Sequence, residues 1–158
     1  MFTELYIEFI SSGVFSMRMY VQMNPDLHLG SQPDAADLEL LRQKGVRTVI
    51  DLRLRSETAG ANQELVAKSG LRYVNIGVDE SGLNEDVVAQ VTQALRSGEG
   101  PYVLHSGTGR RATAVMAISR ARQNGWPLEK SLRTLRVMGS GIGQFQEFLS
   151  FLQRSVSA

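Results

Sequence analysis

"YVLHSGTGRRATAVMAISRA", residues 102–121, decides how this chain is read. A short β-favouring run, Tyr102 to His105, leads into a loop punctuated by Gly107 and Gly109. A helical stretch opened by Arg110 and Arg111 follows. Strand, glycine loop and helix in that order make a seat for an anion. The glycines let the backbone curl with its N–H groups inward, and the helix end adds positive partial charge. An arginine can then take two phosphate oxygens at once with its planar fork. A tight turn carrying two surface arginines is the plain alternative.

The segments around this stretch set the fold class. "LHLG" (27–30) reads as a strand, and "SQPDAADLELLRQKG" (31–45) as a turn and helix. In that helix Asp34 is the N-cap, Leu38 and Leu41 form the inner face, and Gly45 is the stop. "VRTVIDL" is an apolar β-rich run, "NQELVAKSG" a short helix, and "LRYVNIGV" a strand ending near Val78. "NEDVVAQVTQALRSG" takes Asn84 as its cap and places Val87, Val91, Ala94 and Leu95 on one helical face. Strands alternating with helices predict an α/β fold: a single domain whose mostly parallel sheet carries helices on both faces. After residue 121 no strand is expected. Leu128, Leu132 and Leu135, then Phe145, Phe148, Leu149 and Leu152, give a helical C-terminal third.

Residues 1–26 are read as an N-terminal extension and 27–158 as the domain proper. In the extension Phe2, Leu5, Phe9 and Ile10 fit a helical face, while Leu5, Ile7 and Phe9 fit a strand. Packing on its own domain, or homo-oligomerisation through this segment, is the expectation. Glu4 and Glu8, with no early Lys or Arg, do not fit a secretory signal, so a cytoplasmic location is expected.

Bulk composition narrows the function. A net charge of +1 gives no global basic field, so nucleic acid is not the expected partner. No apolar run approaches the length of a membrane span. The chain has no cysteine, which removes disulfides, thiolate metal sites and thiol catalysis. Its two histidines, His28 and His105, are far apart, so no metal and no cofactor is expected. Gly107, Gly109 and Ala112 satisfy the dinucleotide fingerprint G-x-G-x-x-G/A. That fingerprint should open the first βα unit and be followed by a further strand, and "NGWPLEKSLRTL" reads as helix instead.

The loop "HSGTGRR" resembles the His-Cys-x-x-Gly-x-Arg loop of a small bacterial phosphatase family (domain of unknown function 442). That family is related to cysteine-dependent protein tyrosine and dual-specificity phosphatases. Common phosphatase loops leave five residues between cysteine and arginine, which would place Ala112 at the arginine position. The bacterial spacing of four places Arg111 there. "LHLGSQPDAADLELLRQKGVRTVIDLRLRSE" and "LRYVNIGV" are similar to the family as well, so the resemblance covers roughly residues 27–139. Rhodanese-type sulfur transferases share a four-spaced loop and a "DLR"-like strand, and rank third because their cysteine and glycine-histidine turn are absent.

The resemblance implies a protein tyrosine phosphatase-like fold and phosphate-monoester hydrolysis through a phospho-enzyme. It implies that Ser106 stands at the nucleophile position, that Arg111 holds the phosphoryl oxygens, and that Asp79, 27 residues earlier, matches the general acid, with Glu80 as the alternative. His105, Gly107, Thr108, Gly109 and Arg110 would complete the substrate-binding loop. Asp51, Arg53, Arg55 and Glu57 are assigned structural ion pairs. Two departures matter: the family cysteine is Ser106, and the hydroxyl residue that often follows the arginine is Ala112, with Thr113 one step on. A serine hydroxyl lacks the easy ionisation of a thiol in such a seat. Two classes therefore compete: a dual-specificity-like phosphatase present as an impaired or substrate-trapping serine form, and a natural pseudophosphatase that binds phosphorylated partners. Either would bind a phosphorylated protein or small molecule, or inorganic phosphate or sulfate.

Overall fold

The computed structural model describes residues 5–6, 20–58, 60–79, 85–127, 129–131 and 133. Six strands form one sheet: β1 (Leu5–Tyr6), β2 (Tyr20–Asn24), β3 (Leu27–Gly30), β4 (Thr48–Asp51), β5 (Arg72–Asn75) and β6 (Tyr102–His105), in the order β1-β2-β3-β6-β4-β5. β3, β6, β4 and β5 run parallel, and β1 and β2 add an antiparallel edge. The helices are α1 (Ala35–Gln43), α2 (Arg55–Thr58), α3 (Ala61–Lys68), α4 (Glu85–Leu95) and α5 (Arg110–Asn124).

Period-two alternation in the central strands divides the core between the two faces. Val49 and Val103 join Leu38, Leu41, Val66 and Leu71 under α1 and α3. Ile50 and Leu104 join Val88, Val91, Val115 and Ile118 under α4 and α5. Both strands are thus buried on both sides, and each buried aliphatic side chain contributes about 1.5–3 kcal/mol by leaving water. α1 begins with a reciprocal cap, Asp37 N–H donating to Asp34 Oδ1 (2.8 Å) and Asp34 N–H to Asp37 Oδ2 (2.9 Å). It stops at Lys44, ahead of Gly45 at φ +94°.

The fold differs from the sequence reading in three places. Leu5–Tyr6 and Tyr20–Asn24 extend it into the stretch read as an extension, so the strand alternative holds for Leu5. β5 ends at Asn75 rather than near Val78, although Ile76 N–H still donates to Asp51 O and Val78 N–H to Leu52 O. The turn of helix α2 was not anticipated. Asn84, Glu80 and most of the C-terminal third lie outside the described residues. Among the described residues no helix is long and apolar enough to cross a membrane.

Candidate active site

Register places the site. Gly30, Asp51 and Asn75, the last residues of β3, β4 and β5, align with His105, the last of β6, in one row across the sheet. The loops that follow therefore leave the carboxyl edge side by side: 31–34, 52–54, 76–79 and 106–109. Ligands in parallel α/β sheets bind at this edge.

The loop Ser106–Gly109 is braced by the β3–α1 loop. Gln32 N–H donates to Gly107 O at 3.2 Å. Because C=O and the next N–H point oppositely across a trans peptide, this turns the Thr108 N–H away from Gln32. Gly109 caps α5 in the left-handed region (φ +89°), and a Cβ there would lie 3.3 Å from Gly30 O. Both conformation and space thus call for glycine. Thr108 is exposed, Gly107 and Arg110 are half-buried, and Gly109 is buried.

Ser106 is 1% exposed. Its Oγ accepts a hydrogen bond from Ala112 N–H (3.4 Å), one of the amides at the start of α5 that lack an in-helix partner. No carboxylate or imidazole hydrogen-bonds to that hydroxyl among the described residues. Thr113 does not replace the hydroxyl missing at Ala112, because its Oγ1 donates to Gly109 O at 2.8 Å within its own helix.

Arg111 crosses the carboxyl edge. Nη1 donates to Glu57 Oε2 (2.8 Å) and Val78 O (2.9 Å), and Nη2 donates to Glu57 Oε1 (2.8 Å). Glu57 Oε2 also accepts from Leu54 N–H (2.6 Å). The Arg111 hydrogen bond, followed by smaller contributions, holds the Glu57 carboxyl below its ordinary value against a partial burial penalty. Arg111 thus ties three loops together. Asp79, the expected acid, is the residue after the Val78 carbonyl that Arg111 grips, and it is exposed.

Beneath the loop lies a buried polar cluster centred on Asp51, which is 0% exposed. Its carboxylate accepts from Arg53 N–H (2.9 Å), Nε (3.0 Å) and Nη2 (3.0 Å), from Asn62 Nδ2 (3.1 Å) and from Tyr73 OH (2.8 Å). Burial pushes the Asp51 carboxyl up, but Arg53, His105 and Tyr73 together outweigh it and hold it below the usual range. Burial, then the bond to Asp51, raises the Tyr73 phenol to about 12. His105, also fully buried, has Nε2 3.8 Å from Asp51 Oδ1, beyond a hydrogen bond. Burial lowers its pKa to about 4, only partly offset by Asp51, so the imidazole is neutral at pH 7.

The ion-pair role expected of Asp51, Arg53 and Glu57 is present, whereas Arg55 has no ion-pair partner among the described residues. Sequence reasoning missed two contributors. Gln32 acts through its backbone, which no side-chain pattern reveals. The pairing of Glu57 with Arg111 joins positions 54 residues apart, and neither carries a local signal of the other.

A strand–glycine loop–helix unit at the carboxyl edge of a largely parallel sheet is an arrangement fit to hold an anion. Residues 19–123 match the family described as the phosphatase-like domain of beta-lactamase hydrolase-like protein, and the chain belongs to that family. The beta-lactamase hydrolase-like protein of Xylella fastidiosa (strain Temecula1) is 26% identical over 104 residues, 63% of this chain and 24% of that protein. The chain therefore spans about a quarter of the length of the curated relatives it matches. Among solved structures, a Cys-to-Ser form of P. aeruginosa TpbA in complex with phosphotyrosine is similar with a TM-score of 0.69, at 21% identity, over 86% of this chain and 83% of that one. A putative phosphatase (DUF442) from Shewanella putrefaciens is similar with a TM-score of 0.63, at 21% identity, over 85% and 86%.

Proposed function

We propose that the loop 106–111 is a seat for phosphate monoesters, built for hydrolysis through a covalent phospho-enzyme. With Ser106 at the nucleophile position, this chain binds such ligands and does not turn them over. The observation that carries the reading is the buried Ser106 hydroxyl held against the Ala112 N–H, with Arg111 reaching across the same edge. A sulfur at that position would meet the same amide and the positive end of α5, which lowers a thiol pKa by several units. A hydroxyl stays protonated there, since no carboxylate or imidazole among the described residues hydrogen-bonds to it.

With sulfur in place, the thiolate attacks phosphorus while Arg111 and the loop amides hold the non-bridging oxygens. The bond to the leaving oxygen breaks, and Asp79 supplies that oxygen's proton. Water then cleaves the phospho-enzyme, returning the thiolate and inorganic phosphate. The complex of a Cys-to-Ser form of TpbA with phosphotyrosine supports the binding of a phosphate monoester in such a seat. A pseudophosphatase role uses the same seat and is separated from the hydrolase by turnover after Ser106→Cys.

Calorimetric titration with phosphate and vanadate tests the seat. Binding at millimolar concentration or below is expected, and none would sink the proposal. Arg111→Lys should weaken binding about tenfold or more, since a point charge cannot reproduce the fork. Arg110→Ala should change it by less than about threefold, the range of a lone ion pair, because the four-residue spacing puts Arg111 at the oxygen-holding position. Equal losses would mean that the loop has been aligned wrongly.

A further inference from the structure

A cavity with polar lining residues opens beside this edge, about 370 Å³ in volume and lined by Arg55, Thr58, Gly60, Gln63, Tyr73 and Asn75. No carboxylate lines it. Asn75 has committed both amide hydrogens, to Asp51 O (2.9 Å) and Arg53 O (2.8 Å), and Tyr73 has committed its proton to Asp51. Those two side chains offer only oxygen lone pairs. Arg55 and Gln63 offer donors, and the Arg55 guanidinium makes no hydrogen bond or ion pair among the described residues. The cavity and the phosphate seat draw on neighbouring loops of the carboxyl edge. Arg55 stands two residues before Glu57, which grips Arg111, and Asn75 and Tyr73 brace the segment Asp51–Arg53 from which that loop departs.

We propose that this cavity is a subsite for a second anionic group on the ligand, bound by Arg55. The ligand class is then a phosphate monoester whose remainder is polar and carries another phosphate or carboxylate. The inference rests on the phosphate seat at Ser106: one anion fills that seat, and its tether raises the effective concentration of the second at Arg55.

Titration of this chain with inorganic phosphate, then with bisphosphates of linear diols two to eight carbons long, tests the subsite. Ser106 leaves the ligands intact during the measurement. At least one spacer should bind about tenfold tighter than phosphate, a gain well beyond the twofold statistical factor. Arg55→Ala and Arg55→Glu should remove that gain while leaving phosphate affinity within about twofold, because Arg55 is exposed and outside the seat. Melting temperatures check that both variants are folded. If phosphate binds and no spacer gains, or if the gain survives Arg55→Glu, the subsite is wrong and the seat stands. If phosphate itself fails to bind, the seat is overturned and the subsite with it.

Discussion

Glu57 and Arg111 face each other through two hydrogen bonds of 2.8 Å, and the Arg111 side chain keeps only 10% of its surface exposed. A cation that buried needs its counter-charge. Glu57→Gln should therefore cost about 1–2 kcal/mol of stability, less than a fully buried pair because Glu57 is 37% exposed. A phosphate dianion can replace the missing charge. Saturating phosphate should then raise the melting temperature of the variant more than that of the parent. An equal rise in both would show that Arg111 does not face the ligand.

Gln32 braces the seat through its backbone N–H, which donates to Gly107 O. Gln32→Ala keeps the N–H and should leave phosphate affinity unchanged. Gln32→Pro removes the bond to Gly107 O and frees the Thr108 peptide to turn, which should weaken binding about tenfold, the worth of one hydrogen bond to a charged group. Calorimetry on the two variants decides, and a loss in the alanine variant would transfer the role to the side chain.

These two contacts show where sequence reading reaches its limit. Leu38, Leu41, Val87 and Val91 announce their buried faces through spacing, and Asp34 is legible as the cap of α1. Gly109 was legible as a residue that lets the loop curl, and its left-handed φ of +89° fits that reading. Val21 and Met23 alternate with Gln22 and Asn24, so β2 carried a period-two signal, weakened by an N-terminal stretch that fits helix as well as strand. Glu57 beside Arg111 and Gln32 beside Gly107 arise only when parallel register brings four loops to one edge, and no local pattern encodes that meeting.

Asp79 follows the carbonyl that Arg111 grips, so its proposed role as acid can be separated from a role in loop placement. In a Ser106→Cys background, Asp79→Asn should slow turnover about a hundredfold, within the range of general acid catalysis. The loss should shrink for leaving groups that need no proton, such as a nitrophenolate. A uniform loss across leaving groups would make Asp79 a positioning residue.

His105 should make stability depend on pH. Its folded pKa is about 4, against 6.5 for the ordinary imidazole, so between these values the unfolded chain binds more protons. Stability is full above pH 6.5 and is lost as pH falls toward 4, by up to about 3 kcal/mol. His28 is shifted downward too, by burial and then Lys44, and adds in the same direction. Urea unfolding at pH 7.5 and pH 5 should show the drop. His105→Gln should flatten it, and an unchanged slope would mean that the ring is not buried neutral.

The central claim is that the machinery around Ser106 fits a thiolate and lacks only the sulfur. Hydrolysis of a small aryl phosphate by this chain and by Ser106→Cys, at equal concentration, tests it most directly. The hydroxyl lies buried against the Ala112 amide, and no carboxylate or imidazole among the described residues hydrogen-bonds to it, so the serine form should show essentially no turnover while still binding phosphate. The cysteine form should turn over, with activity falling as acid protonates the thiolate. Serine and cysteine forms of equal rate would contradict the thiolate mechanism, and two inactive forms that both bind phosphate would leave the domain a binder.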